Sequence, residues 1–177
     1  RLCSSAASDV YKRQVFNNIN KNFDDNQELS KSYFKRLTDE PSTAFVGHLA
    51  LMRQAIFDKK DLNEIINEGL KALKFEPKSK QILEVLLFSY AKLRDISNSL
   101  VYLNKLKKLN YMKDNLYKNM SADLNYLKAL DYLEDEKSYL ATNHLKEAFK
   151  QKPSHIGASL KLSGLLKGIG SKTKSID

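Results

Sequence analysis

The sequence has one cysteine, no tryptophan, six glycines and three prolines among its 177 residues. A single cysteine, Cys3, excludes an internal disulfide and any metal site built on several thiolates. The three histidines, His48, His144 and His155, have no second histidine or carboxylate at the spacing of a metal-binding helix. The sequence therefore predicts neither a metal nor another cofactor.

Long apolar runs are missing as well. The best candidate, Ile82–Tyr90, is far shorter than the roughly 18 residues that a membrane-spanning helix needs, and Glu84 and Ser89 interrupt it. We therefore expect the chain as given to be soluble.

Patterns of catalytic residues are equally scarce. The sequence has no glycine-rich turn of the kind that binds dinucleotides, and no Ser/His/Asp or Cys/His constellation can be proposed. The densest carboxylate group, Glu134-Asp135-Glu136, could in principle coordinate a cation, but it falls where a solvated turn between helices is expected. The chain is accordingly predicted not to be an enzyme.

The composition indicates a folded and basic protein. Hydrophobic residues make up 42% of the chain, and the formal net charge is +9. The lysines are spread along the sequence with Glu and Asp between them, without a compact basic stripe carrying interleaved aromatics. Nucleic acid is therefore not predicted as a partner.

Residues 1–14 differ from the rest of the chain in composition and lack any helical or strand period. Their last six residues, Asp-Val-Tyr-Lys-Arg-Gln, resemble a translation of the mosaic-end adapter used in transposase-based sequencing libraries. We expect this segment to be translated adapter and not part of the fold. The alternative, a signal peptide, lacks its apolar core.

One amphipathic segment, Asp61–Pro77, recurs along the chain. Its apolar residues follow a helical spacing, an acidic residue opens it and a proline closes it. Asp25–Pro41 lies 36 residues earlier, Asp95 lies 34 residues after Asp61, and Lys137–Pro153 repeats the pattern again. A period in the mid-thirties is typical of tetratricopeptide-type helix pairs.

Partner helices are predicted between these copies, at Thr43–Phe57, Lys78–Lys92 and Leu116–Leu133, with residues 110–114 as a loop. A last helix should run from Pro153 to about Leu166, with the apolar residues Ile156, Leu160 and Leu162 buried.

Small residues are expected where paired helices cross, namely Gly69, Ala72, Ala141 and Ala148. The predicted class is all-α: a tetratricopeptide-like right-handed α-solenoid of antiparallel helix pairs over residues 15–167, with about three full pairs. Both ends look truncated, because Val15–Phe23 has the pattern of the tail of a first helix, and the last predicted helix is a first helix without its partner. Residues 168–177 are predicted to be a frayed end.

The segment Phe34–Gln54 resembles the HemY family of bacterial inner-membrane proteins. The family carries a similar Pro-x-Thr-x-Phe-Leu-Gly segment, matched here by Pro41, Thr43, Phe45 and Gly47, whereas His48 replaces a usual leucine. The match extends from about Asp25 to Leu166. The resemblance implies two membrane helices upstream, an inner-membrane location for the full-length protein and a link to late haem (protoporphyrin) metabolism. It implies no catalytic residues.

The predicted function is a non-enzymatic scaffold that binds a protein or peptide in a concave groove lined by the first helices of the pairs. The resemblance makes enzymes of the haem pathway candidate partners. By repeat position, the groove residues are Gln54, Phe57, Gln81, Glu84, Phe88, Lys92 and Tyr126.

Three alternatives stay open at this point. The chain could be a soluble tetratricopeptide adaptor unrelated to haem, or it could bind haem or porphyrin directly with His48 or His155 as axial ligand. Phe57 and Phe88 could also pack between repeats instead of facing a partner.

Overall fold

The computed structural model describes residues 27–173, with side chains described for residues 30–167. Within that range it contains eight α-helices and no β-strand, which confirms the all-α class. The helices are α1 (Gln27–Asp39), α2 (Ala44–Phe57), α3 (Leu62–Phe75), α4 (Lys80–Lys92), α5 (Ile96–Lys108), α6 (Asp114–Glu134), α7 (Ser138–Gln151) and α8 (Ile156–Thr173). Over the residues it describes, no helix is both long enough and apolar enough to cross a membrane.

The acidic residues that open two of the recurring segments are helix N-caps. The Asp61 side chain accepts a hydrogen bond from the Asn63 backbone N–H, and Asp95 accepts one from the Asn98 backbone N–H. These bonds satisfy backbone donors that a helix start leaves without a partner. At its other end, α3 stops at Phe75, just before Pro77.

Several predicted boundaries shift in the structure. Helix α4 begins at Lys80, because residues 77 and 78 form a turn first. Helix α6 begins at Asp114, inside the predicted loop. Helix α8 continues to Thr173, beyond the expected end near Leu166. Residues 1–14 and Val15–Phe23 lie outside the described residues, as do residues 174–177 of the predicted frayed end.

The chain divides into two compact units between Ser89 and Tyr90. In the first unit α1 packs on α2, and α2 packs on α3 across a short connection, residues 58–61. Packed neighbours joined by so short a connection form an antiparallel helical hairpin. The core of this unit includes the buried residues Phe34, Leu37, Val46 and Ala50.

Two glycines permit close approaches in the first unit. A Cβ atom added at Gly47 would lie 2.8 Å from the backbone nitrogen of Thr38, so α1 and α2 meet nearly backbone to backbone. A Cβ atom added at Gly69 would lie 3.1 Å from Leu86 Cδ2 and 3.3 Å from Met52 Sδ. Gly69 thus marks the point where α2, α3 and α4 come together, as predicted for a crossing position.

In the second unit α5 packs on α6, α6 packs on α7 across residues 135–137, and α7 packs on α8. Where α6, α7 and α8 meet, one core cluster is built largely from small residues. Its buried members are Ala129, Ala141, Leu145, Ala148 and Ala158. Alanines let helix axes approach closely, and Ala141 and Ala148 were expected at such crossings.

Four helices in the described range end in the same turn, at a non-glycine residue of positive φ: Lys59, Arg94, Asn110 and Glu136. After α2, the Lys60 N–H donates to the Ala55 carbonyl, and the Lys59 N–H donates to the Ile56 carbonyl. The other three turns repeat this pair of bonds. This is the Schellman motif, in which glycine usually occupies the left-handed position.

The predicted burial of helix α8 is wrong at two positions. Ile156 is 74% exposed and Leu160 is 69% exposed, whereas Leu162 is half-buried. Apolar periodicity indicated a covered face, but the described elements cover only the side of α8 that faces α6 and α7, around Ala158.

Candidate functional site

Four of the predicted groove residues lie in the first unit with accessible side chains. Phe57, at the end of α2, is 60% exposed, and Phe88, on α4, is 52% exposed. Gln81 is exposed and Glu84 is half-buried. On α4 these residues recur every three or four positions and therefore share one side of the helix.

A hydrogen bond joins α2 to α4 beside these residues. Arg53 Nη2 donates to Gln81 Oε1 at 2.9 Å. Phe57 lies one turn after Arg53 on α2, and Glu84 lies one turn after Gln81 on α4. The bond therefore brings the predicted groove side of α2 next to that of α4. We call the surface formed by Arg53, Phe57, Gln81, Glu84 and Phe88 the α2–α4 face.

Charge on this face is mixed. Burial lowers the pKa of the Arg53 guanidinium, which nevertheless keeps its charge at neutral pH. Glu84 Oε1 lies 3.7 Å from Lys80 Nζ, one turn earlier on α4. The α2–α4 face thus presents two exposed aromatic rings with a cation, a carboxylate and an amide close by.

Three predicted groove residues are not part of the α2–α4 face. Gln54 is only 5% exposed, because it lies on the inner side of α2. Lys92 is exposed in the last turn of α4 and belongs to the second unit. Tyr126 also belongs to the second unit, where its ring is half-buried.

Tyr126 packs inside the second unit. A Cβ atom added at Gly157 would lie 2.9 Å from Tyr126 Cζ, so the tyrosine ring rests on the start of α8. The His155 ring lies 4.8 Å from it, centroid to centroid. Tyr126 thus links α6 to α8, a role that its repeat position alone did not indicate.

His48 belongs to a charged cluster between α2 and α3. Its Nδ1 lies 2.7 Å from Glu68 Oε2, and Lys71 Nζ lies 2.7 Å from Glu68 Oε1. Burial by itself would raise the pKa of Glu68, but the hydrogen bonds from Lys71 and His48 outweigh it and hold that pKa below its ordinary value. An ionised carboxylate only accepts hydrogen bonds, so His48 Nδ1 carries the proton.

His144 belongs to a neutral cluster between α6 and α7. Asn125 Nδ2 donates to the Ser121 carbonyl at 2.8 Å, and Asn125 Oδ1 faces His144 Nδ1 at 2.9 Å. The amide oxygen must accept, so His144 Nδ1 carries the proton. Burial, with a contribution from the charge of Lys128, lowers the pKa of His144.

His155 is engaged through both ring nitrogens. Its Nδ1 accepts a hydrogen bond from the Ala158 backbone N–H at 3.0 Å, and its Nε2 lies 3.3 Å from Asp123 Oδ1. The side chain therefore caps the start of α8 and ties it to α6. An axial ligand of haem would have to give up one of these contacts.

The carboxylate group at the end of α6 lies in a turn, as predicted. Asp135 Oδ2 pairs with Lys137 Nζ at 2.9 Å, and Glu136 occupies the left-handed position of the turn. Across the part of the chain that the structure describes, no three His, Cys, Asp or Glu side chains are grouped so that they could hold a metal ion.

Comparison with protein-family models and with curated proteins finds no match for this chain. The α2–α4 face and the polar clusters are therefore the features that bear on its function. Sequence patterns did not indicate Arg53 or the pairing of Glu68 with His48. The signal for that pairing was available: residues of two antiparallel helices that lie at similar distances from the connecting turn face each other.

Proposed function

We propose that this chain is a tetratricopeptide-type interaction module that binds a protein or peptide segment on the α2–α4 face. The observation that carries the proposal is the exposure of Phe57 and Phe88 on neighbouring helices joined by the Arg53–Gln81 hydrogen bond. More than half of the surface of each of these residues is accessible, so both offer apolar surface to a partner.

The chemistry of the face suits a peptide. Aromatic and arginine side chains carry much of the binding free energy in protein interfaces. Polar groups beside them, here Gln81 and Glu84, supply hydrogen bonds that fix the orientation of a bound segment. A partner helix or an extended peptide with apolar anchors fits this arrangement, whereas catalysis would require a set of reactive groups that the face lacks.

The finer fold, a right-handed solenoid of tetratricopeptide-like pairs, is part of the proposal. The α2–α3 and α6–α7 pairs support it, because both are antiparallel, both turn through a Schellman motif and both place small residues at their crossings. Stacked pairs of this kind leave one layer of helices available for partners.

The resemblance to the HemY family extends the proposal to a cellular location and a set of partners. In this interpretation the full-length protein lies at a bacterial inner membrane, anchored by upstream helices, and its partners include enzymes of late haem metabolism. The resemblance of Phe34–Gln54 is what supports this interpretation. The alternative is a soluble adaptor with the same face and no link to haem.

Direct haem binding is less well supported. His155 has contacts at both ring nitrogens, and His48 Nδ1 is held by Glu68 while its ring stacks on Phe75 at 6.2 Å. A haemin titration of the purified chain distinguishes the two ideas. A Soret shift that is lost in His48→Ala would favour haem binding over the scaffold.

The test of the scaffold uses peptides selected on the purified chain from a random display library. We expect Phe88→Ala to weaken the selected peptides at least about tenfold, the equivalent of roughly 1.4 kcal/mol. Tyr139→Ala is the matched control, because Tyr139 is also an exposed aromatic, at 77%, but lies on α7. It should leave binding unchanged.

Circular dichroism of the same variants completes the test. Phe88→Ala should keep the helicity and melting temperature of the unsubstituted chain. A marked loss of either would show that Phe88 packs within the fold, and peptides that bind Phe88→Ala with full affinity would place the binding surface elsewhere.

A further inference from the structure

A second candidate surface lies in the second unit and shares no residue with the α2–α4 face. Helices α7 and α8 form an open groove of about 420 Å³. It is lined by Phe149, Ser159, Leu162, Ser163, Leu166 and Lys167. Phe149 is 41% exposed and Leu166 is 48% exposed, so apolar surface is accessible along both walls.

The segment that forms this groove, residues 138–173, is rich in lysine, and Lys167 lines the groove itself. Residues 138–173 contain a single acidic residue, Glu147, whose carboxylate accepts a hydrogen bond from Gln151 and lies 3.9 Å from Lys150 Nζ. The same stretch contains six lysines: Lys146, Lys150, Lys152, Lys161, Lys167 and Lys172. A ligand with negative charge beside an apolar strip would complement both properties.

The first unit contains an equivalent groove, between α1 and α2, and shows which element covers it. Helix α2 begins three residues after Pro41, and α8 begins three residues after Pro153. Helix α3 packs along α2, and its Glu64 also approaches Lys31 of α1 at 4.0 Å. The element that lies over α1 and α2 is thus an amphipathic helix whose buried side includes Ile65, Gly69 and Ala72.

From the charge and from this equivalence, we infer that the α7–α8 groove binds an acidic amphipathic helix of a partner protein. The apolar side of that helix, with small residues among larger ones, packs against Phe149, Leu162 and Leu166. Its carboxylates lie toward Lys167 and the lysines of α7. This is the helix-in-groove mode of recognition, with charge fixing the choice of partner.

Two fluorescent peptides of residues 61–77 test the inference on the full chain. In the acidic peptide Lys71 and Lys74 are replaced by Glu, and in the basic peptide Glu64 and Glu68 are replaced by Lys. Both keep the apolar side of α3. Measured by fluorescence anisotropy, the acidic peptide should bind at least about tenfold more tightly than the basic one, and raised salt should narrow that difference.

Two matched leucine variants locate the binding. Leu166→Ser should weaken the acidic peptide about tenfold. Leu116→Ser changes a leucine of similar exposure, 51% against 48%, on α6 outside the groove, and should have no effect. Both leucines are half exposed, so neither variant should unfold the chain, and circular dichroism checks this.

Several results would overturn the inference. Equal binding of the two peptides, no saturable binding up to about 1 mM, or equal losses in the two leucine variants would each do so. A DNA duplex or phosphatidylglycerol vesicles that displace the acidic peptide would assign the groove to polyanions in general. Sedimentation showing a dimer that Leu166→Ser dissociates would assign it to a second copy of the chain.

Discussion

The α2–α3 and α6–α7 pairs share one plan, yet they satisfy their buried polar groups with opposite chemistry. His48 and Asn125 stand the same number of residues before the left-handed residue of their turn, Lys59 or Glu136. Each bonds to the facing helix, His48 to Glu68 and Asn125 to His144. The first contact is charged and the second is neutral.

This difference teaches that the repeat specifies a location for a polar contact between helices, but not its chemistry. A polar group taken out of water needs a partner, and either a carboxylate–imidazole contact or an amide–imidazole contact meets that need. The stability contributed by the two contacts should respond differently to pH, to loss of one partner and to changes in packing. Substitutions can therefore distinguish the α2–α3 pair from the α6–α7 pair.

The largest difference in packing concerns the approach of α1 to α2. At Gly47 the α1 backbone leaves no room for a Cβ atom, whereas the equivalent residue of α6 is Leu124. We expect Gly47→Ala to lower the free energy of unfolding by about 3 kcal/mol, because backbone atoms cannot move aside as a side chain can. Urea denaturation followed by circular dichroism measures this.

Gly164→Ala is the control for helix propensity. A Cβ atom added at Gly164 meets nothing within 4 Å, so this variant should gain stability, by up to about 1 kcal/mol. If Gly47→Ala also gained stability, α1 and α2 would not be in close contact, and the contrast with Leu124 would disappear.

Loss of one partner should cost more in the charged pair. Glu68→Ala leaves His48 Nδ1–H and Lys71 without their acceptor, and we expect a loss of about 2 kcal/mol. Asn125→Ala leaves His144 Nδ1–H without its acceptor, at about 1 kcal/mol, as for a neutral hydrogen bond. Urea midpoints of the two variants give the comparison.

Replacing both members of the charged pair tests the reason for that cost. The double variant His48→Leu, Glu68→Leu removes the polar groups together and should recover much of the stability lost in Glu68→Ala, because no buried donor remains. A double variant no more stable than Glu68→Ala would show that the loss came from packing and not from an unpaired donor.

The two pairs should also lose stability in different pH ranges. The pKa of His144 is lowered in the fold, so the unfolded chain binds its proton more readily. Its contribution is complete above the ordinary pKa of 6.5 and is lost as pH falls below that value. The lowered pKa of Glu68 keeps its contribution intact until pH falls below the ordinary carboxyl value of 4.5.

Urea midpoints measured from pH 7.5 to pH 3.5 separate these contributions. As pH falls, the unsubstituted chain should lose stability first between about pH 7 and pH 5 and again below about pH 4.5. His144→Gln should lose less stability than the unsubstituted chain in the first of these ranges. An identical profile for His144→Gln over that interval would contradict the role given to burial of the imidazole.

Local signals predicted the helices well but not their contacts. Asp61, Asp95 and Pro77 mark helix ends because capping and proline sterics act within a few residues. Tyr126 was assigned to a groove by its repeat position, and its contact with Gly157 was missed because Gly157 lies in a helix two elements further along the chain. The repeat register carries no information about that contact.

Exposure was the other quantity that the sequence did not determine. Leu160 and Phe88 both stand at helical spacing, yet a periodic apolar residue indicates only that a surface is suited to burial. Whether something lies over it depends on tertiary packing. Phe57, Gln81, Glu84 and Phe88 were placed on neighbouring helices by the repeat, whereas the Arg53–Gln81 bond that joins these helices became visible only in the structure.

The smallest predicted effect concerns what the two pairs have in common, their turns. Lys59 and Glu136 hold positive φ, 52° and 59°, where a β-carbon is unfavourable. Lys59→Gly and Glu136→Gly should each raise the free energy of unfolding by about 0.5 kcal/mol, since relief of strain exceeds the added freedom of the unfolded chain. Asp58→Gly, at φ −72° beside Lys59, is the control and should lower it. Gains of similar size at both positions would indicate that the two turns are equivalent. A gain at only one position would indicate that the two helix pairs differ in their turns.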